Sequence, residues 1–130
     1  MQPSEIEMRI LSELEEAGEE NVCAMANTIF PPTGESSEIE QLQAALVSLV
    51  SADLVRMGER VRNVGVRPLS KDESLAIVGA MPAGMIFDDK EGLWWWTQSV
   101  WPEITDTEAG KSKAREILSE RGYQWWRPKS

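Results

Sequence analysis

Apolar residues recur along this chain with two different spacings, and the switch between them marks its elements. Ile6, Ile10, Leu11 and Leu14 fall on one face of a helix predicted over Glu5 to Ala17, with Gly18 as its stop. Val22, Met25, Ala26 and Ile29 predict a short second helix, which "FPPTG" must break because prolines cannot donate to a helix. Ile39, Leu42, Leu46, Leu49 and Val50 then stripe a third helix from Ser37 to about Ala52. Alternation replaces helical spacing in "LVRMGERVRNVGVRPLS", which reads as strands Leu54 to Met57 and Val64 to Pro68 joined in a hairpin. A fourth helix, Lys71 to Val78, ends in "GAMPAG".

The remainder is aromatic. "MIFD", "LWWWT" and "VWPEI" read as short strands, a fifth helix covers Asp106 to Arg121, and "YQWWRP" closes the chain as a last strand or packed tail. Four stretches match a capping box, Ser4 to Glu7, Ser37 to Glu40, Ser70 to Glu73 and Thr105 to Glu108, and each places a helix start. The expected fold is α+β. A unit of three helices and a hairpin, closed by the fourth helix, fills residues 1 to 80, and residues 81 to 130 form a Trp-rich small sheet with a C-terminal helix, the whole segment packed on the first half.

The order helix, short helix, turn, helix, hairpin over residues 4 to 69 looks like a winged helix-turn-helix domain. The stretch "LQAALVSLVSADLVRMGERVRNVGVRPLS" carries the resemblance, with Leu46, Leu49, Leu54, Val55 and Arg56 where that family runs from its recognition helix into the first wing strand. The resemblance implies a regulator of transcription bound to duplex DNA as a homodimer. It places Ser36, Ser37, Gln41 and Gln43 toward bases and Arg56, Arg60, Arg62 and Arg67 on the wing.

Charge opens a second reading. The net charge is -9, and from Ile10 through Val55 there is no lysine or arginine, so Glu38 and Glu40 would face phosphates with no cation to offset them. Residues 1 to 54 hold 11 acids and one base, Arg9, whereas residues 111 to 130 hold six bases and two acids. Such segregation points to a contact surface with two faces, and an acidic half of this kind suits a basic protein partner. The outward face of the third helix, Ser37, Glu40, Gln41, Ala44, Val47, Ser48 and Ser51, is mostly small and neutral and is suited to packing against another element.

Tryptophan supplies the remaining contact candidates. On a strand Trp94 and Trp96 share one face and Trp95 takes the other. The expected arrangement covers one side with the fifth helix and the other with the N-terminal half. The alternative leaves one side as a partner surface, with Trp95, Trp126 and Arg121 joining Ala44, Val47 and Ser48. Trp with Arg115, Arg121 and Arg127 would also make a stacking platform for single-stranded nucleic acid.

Enzymatic chemistry finds little footing. There is no histidine, so neither a His-based zinc site nor a His acid or base is available, and the single Cys23 lies among apolar neighbours. "DDKE" at Asp88 to Glu91 lacks the spacing of a calcium loop and reads as a solvated turn. No cofactor or metal is expected. No run approaches the roughly 20 apolar residues of a membrane span, and the N-terminus is acidic, so the expectation is a soluble, cytoplasmic, non-enzymatic protein.

Overall fold

The striped segments fold as helices because each has one face to bury, and they bury it together. A computed structural model describes residues 1 to 127; Pro128, the end of "YQWWRP", and the basic Lys129 lie outside the described residues. Helix α1 (Pro3–Ala17), strand β1 (Glu20–Asn21), helices α2 (Val22–Ile29) and α3 (Ser36–Ser51), then strands β2 (Val55–Val61) and β3 (Gly65–Pro68) follow in order. Helix α4 (Lys71–Ala80), a single 3-10 turn, strands β4 (Met85–Asp88), β5 (Leu93–Trp96) and β6 (Glu103–Asp106), and helix α5 (Glu108–Arg121) complete the chain. This is a mixed α+β structure. The predicted stripes of α1, α2 and α3 are buried, and Met57, Val78, Met81, Trp94, Trp96, Ile104, Ala114 and Ile117 join them in one core.

Strand β6 decides the topology. The larger sheet is ordered β1, β6, β2, β3, so the last strand of the chain lies between two strands of its first half. Ile104 stands opposite Glu20 on one side and Met57 on the other, and it is fully buried. Strand β2 serves both neighbours: Val55 to Gly58 pair with β6, and Gly58 to Val61 pair with β3. It is therefore longer than the alternation in sequence implies.

Of the four capping boxes only the one at Ser70 and Glu73 forms, with both reciprocal hydrogen bonds present. Helix α1 begins two residues earlier than expected, with Pro3 in the first turn where its missing N–H costs nothing, and Ser4 lies inside it. Thr105 sits within β6, and Thr107 caps α5 by accepting from the Gly110 amide. Ser37 is likewise inside α3, and the helix start is fastened by Glu38 instead. The buried Glu38 carboxylate accepts from the Thr33 amide and hydroxyl, the Gly34 amide and the Trp94 indole N–H, at 3.1 to 3.2 Å. One side chain thus ties the turn before α3 to the aromatic hairpin.

That hairpin, β4 with β5, packs on α2 and not beneath α5. The Asn27 side chain donates to the Trp94 carbonyl and accepts from its amide, at 3.1 and 2.8 Å, so it stands in for a missing strand. The Phe87 ring meets Trp94 edge to face at 5.3 Å and lies against Gly34, where a Cβ would stand 2.6 Å from the ring and where the backbone φ is +88°. The expected cover of the outer face by the fifth helix is overturned. Helix α5 has a narrow apolar face, and α1 and β6 occupy it.

Two substitutions test these fastenings by urea unfolding. Glu38→Ala leaves the buried Trp94 indole N–H and the partly exposed Thr33 and Gly34 amides without their acceptor and is expected to lower stability by roughly 1 to 3 kcal/mol. Gly110→Ala sets a Cβ 2.0 Å from the Leu54 carbonyl oxygen and is expected to lower it by roughly 1 to 3 kcal/mol.

Candidate functional site

The arginines assigned to a wing are mostly committed elsewhere in the chain. Arg56 turns back to the end of α3, donating to the Val50 and Val55 carbonyls and pairing with Asp53 at 2.7 Å. Lys71 reaches the same Asp53 at 3.1 Å, and hydrogen bonds from Arg56 and then Lys71 hold that carboxyl below its ordinary range. Both cations serve the negative end of a helix. Arg60 pairs with Glu103 at 3.2 Å, and Arg67 pairs with Glu59 directly across the hairpin. Arg62, exposed in the turn between β2 and β3, has no ion pair among the described residues.

The third helix is likewise partly occupied. Gln43 donates to the Val78 and Gly79 carbonyls of α4, and Gln41 is half-buried beside the start of α1. Ser48 donates to Glu7 at 2.9 Å. Ser36, Ser37, Glu40, Ala44, Val47 and Ser51 remain exposed, and Glu38, expected near phosphates, points into the core.

The charge segregation of the sequence closes in part on itself. Arg115 pairs with Glu15 at 2.9 Å, Arg127 pairs with the buried Glu13, and the Gln124 amide donates to Glu16. Trp125 donates its indole N–H to Ser12, and the Arg121 and Arg127 guanidinium groups lie over Trp125 and Trp126 at 4.7 and 5.4 Å. The basic C-terminus is thereby a clasp on acidic α1. Arg115, Arg121, Arg127 and Trp126 are drawn into it, so they do not form an open stacking platform.

Beneath the clasp lies a carboxylate cluster. Burial, a hydrogen bond with Glu13 and the Glu13 charge push the Glu20 carboxyl up to about 8, with Arg127 opposing and Glu103 reinforcing the shift. Cys23, buried 3.5 Å from the Met85 sulfur, has its thiol pushed up to about 12 by burial, which leaves no thiolate for nucleophilic work. Among the described residues no cluster of three or more His, Cys, Asp or Glu is arranged to hold a metal ion.

The open surface is the outer face of the aromatic hairpin. Trp94 and Trp96 point into the core, as their alternation requires, and Trp95 points out with 58% of its surface exposed. Its cross-strand partner Ile86 is 53% exposed, Leu93 on the same face 41%, and Val100 in the following loop 74%. The Trp101 ring meets Trp95 edge-on at 4.9 Å and extends this surface into a cleft of about 250 Å³. Trp96, Trp101, Leu69, Ile77 and Val100 line the cleft, and Glu59 is the charged side chain among them. The turn at the other end of the hairpin carries Asp88, Asp89 and Glu91 against Lys90.

Of the sequence-predicted contact residues, the structure places Trp95 here, apart from the exposed α3 residues and from the clasp. Ile86, Leu93 and Val100 were not singled out by sequence reasoning. Period-two alternation around Trp95 would have found Leu93, but the Ile86 pairing depends on register.

The carboxylate cluster makes stability depend on pH with a definite sign. Folded Glu20 keeps its proton to about pH 8, whereas an unfolded glutamate loses it near 4.5, so the stabilisation is full below 4.5 and is lost as pH rises through 8. The melting temperature is expected to fall between roughly pH 5 and 9, and Glu20→Gln to flatten that fall. Compared with protein families, curated proteins and solved structures, the chain has no match.

Proposed function

We propose that this chain is a non-enzymatic protein-interaction module, built in the manner of a winged helix over residues 4 to 69, that docks a basic partner on its aromatic hairpin. The observation that carries this reading is the exposed surface of Ile86, Leu93, Trp95 and Val100, joined through the half-buried Trp101 that meets Trp95 edge-on. Apolar residues scattered singly on a surface are ordinary, whereas a connected aromatic patch is the kind of surface that partners bury. Acids at the hairpin turn and a net charge of -9 favour a partner of opposite sign. A second copy would carry the same net charge of -9, which opposes self-association.

Duplex DNA is the competing partner. Arg62 is the observation that favours it, while the internal pairing of Arg56, Arg60 and Arg67 and the exposed Glu40 of α3 weigh against it. Phosphate binding normally draws on several free cations.

Two measurements separate the readings. Fluorescence anisotropy with labelled duplex DNA at low salt is expected to show no binding; a salt-steep affinity lost in Arg62→Glu would overturn the module reading. Selection from a random peptide library on the immobilised 130-residue chain is expected to enrich peptides that combine Lys or Arg with apolar residues. Trp95→Asp, placed at an exposed position, is expected to keep the melting temperature and to cut their capture by roughly tenfold or more. Equal capture by both proteins would remove the hairpin face as the site.

A further inference from the structure

The cleft beside Trp101 has a composition that its size makes specific. About 250 Å³ is below the usual volume of a small-molecule site, and it suits one long side chain. Apolar walls from Leu69, Ile77 and Val100 match an alkyl stem. Two indoles, Trp96 and Trp101, and one carboxylate, Glu59, match a cationic head, since aromatic rings attract ammonium groups and an acid completes the pairing. Trp96 is fixed there, because its indole N–H donates to the Val100 carbonyl at 2.8 Å. Glu59 is engaged by Arg67 through Oε1, and Oε2 has no hydrogen-bond partner among the described residues.

We infer that this cleft receives a lysine side chain of the docked partner, stem along Leu69 and Ile77, ammonium between the indoles and Glu59. The inference rests on the docking reading above, because Trp101 and Val100 belong both to the exposed face and to the cleft wall. The face supplies area, and the cleft selects a cation within the docked segment. Lysine fits better than arginine here, because a compact ammonium needs one carboxylate oxygen, whereas a guanidinium is best matched by two.

The test uses the ¹⁵N-labelled 130-residue chain and the indole N–H signals of Trp96 and Trp101, assigned with Trp→Phe variants. Two probes are titrated: n-butylammonium, which reproduces the lysine side chain, and 1-butanol, its neutral counterpart. The cation is expected to shift both indole signals saturably and to bind roughly tenfold more tightly than the alcohol. Glu59→Gln should weaken the cation and leave the alcohol unchanged, whereas Arg67→Gln, which removes the competing internal cation, should strengthen it. Equal binding of the two probes, or a cation response indifferent to Glu59→Gln, would overturn the inference.

A peptide arm separates this idea from the reading beneath it. The peptide acetyl-Lys-Leu-Lys-Leu-Lys-amide is expected to bind, to shift Trp101 and to be lost with Trp95→Asp, while its Glu-for-Lys counterpart stays unbound. If butylammonium binds but the peptide ignores Trp95→Asp, the cation cleft stands and the docking face falls. If the peptide needs Trp95 while butanol matches butylammonium, the face stands and the lysine assignment falls.

Discussion

A four-residue strand holds this structure together. β6 donates and accepts backbone hydrogen bonds on both sides, to β1 and to β2, and without it neither strand would have a partner along that edge. Buried backbone groups must be paired, and the edge of β2 away from β3 finds its partner only in a strand from beyond residue 100. The consequence is mechanical as well as topological. Everything between β3 and β6, including the aromatic hairpin, is a long excursion pinned at both ends by the same sheet.

Within that excursion, polar side chains do the work that sheet pairing does elsewhere. Asn27 satisfies the free edge of β5, and Glu38 gathers the α3 turn and the Trp94 indole into one buried network. A buried carboxylate is tolerated only when its oxygens are hydrogen-bonded, and here each of them is. These contacts orient Trp94 inward, and pleating then forces Trp95 outward. The exposed Trp95 is thus a geometric consequence of how the core is filled, and the adjoining Ile86, Leu93 and Trp101 turn it into a surface.

Electrostatics divides the molecule differently from the way its sequence is divided. Three acids of α1 are matched, Glu5 by Arg9, Glu15 by Arg115 and Glu13 by Arg127, so part of the formal segregation between the termini closes within the fold. Arg56 and Lys71 cap a helix end, and Arg60 and Arg67 answer Glu103 and Glu59. An internal ion pair at the surface contributes little stability, but it withdraws a cation from a phosphate backbone. The hairpin face of the proposed partner surface carries no ion pair among the described residues, whereas Glu59 of the adjoining cleft is paired with Arg67.

The local physics was legible in the sequence. Helical spacing located α1, α2 and α3 and the side chains they bury, alternation assigned Trp94 and Trp96 to one face and Trp95 to the other, and Ser70 with Glu73 announced a cap that forms. These are short-range properties, set by backbone period and neighbouring hydrogen bonds. Three other capping patterns failed because Pro3, Glu38 and the pairing of β6 imposed different starts. What tertiary structure alone decided were long-range pairings: β6 between β1 and β2, Ile86 opposite Trp95, Glu59 opposite Arg67 and Arg127 on Glu13. Sequence shows which residues carry charge or aromatic surface, but only register and closure determine which of them are already answered within the chain and which remain open.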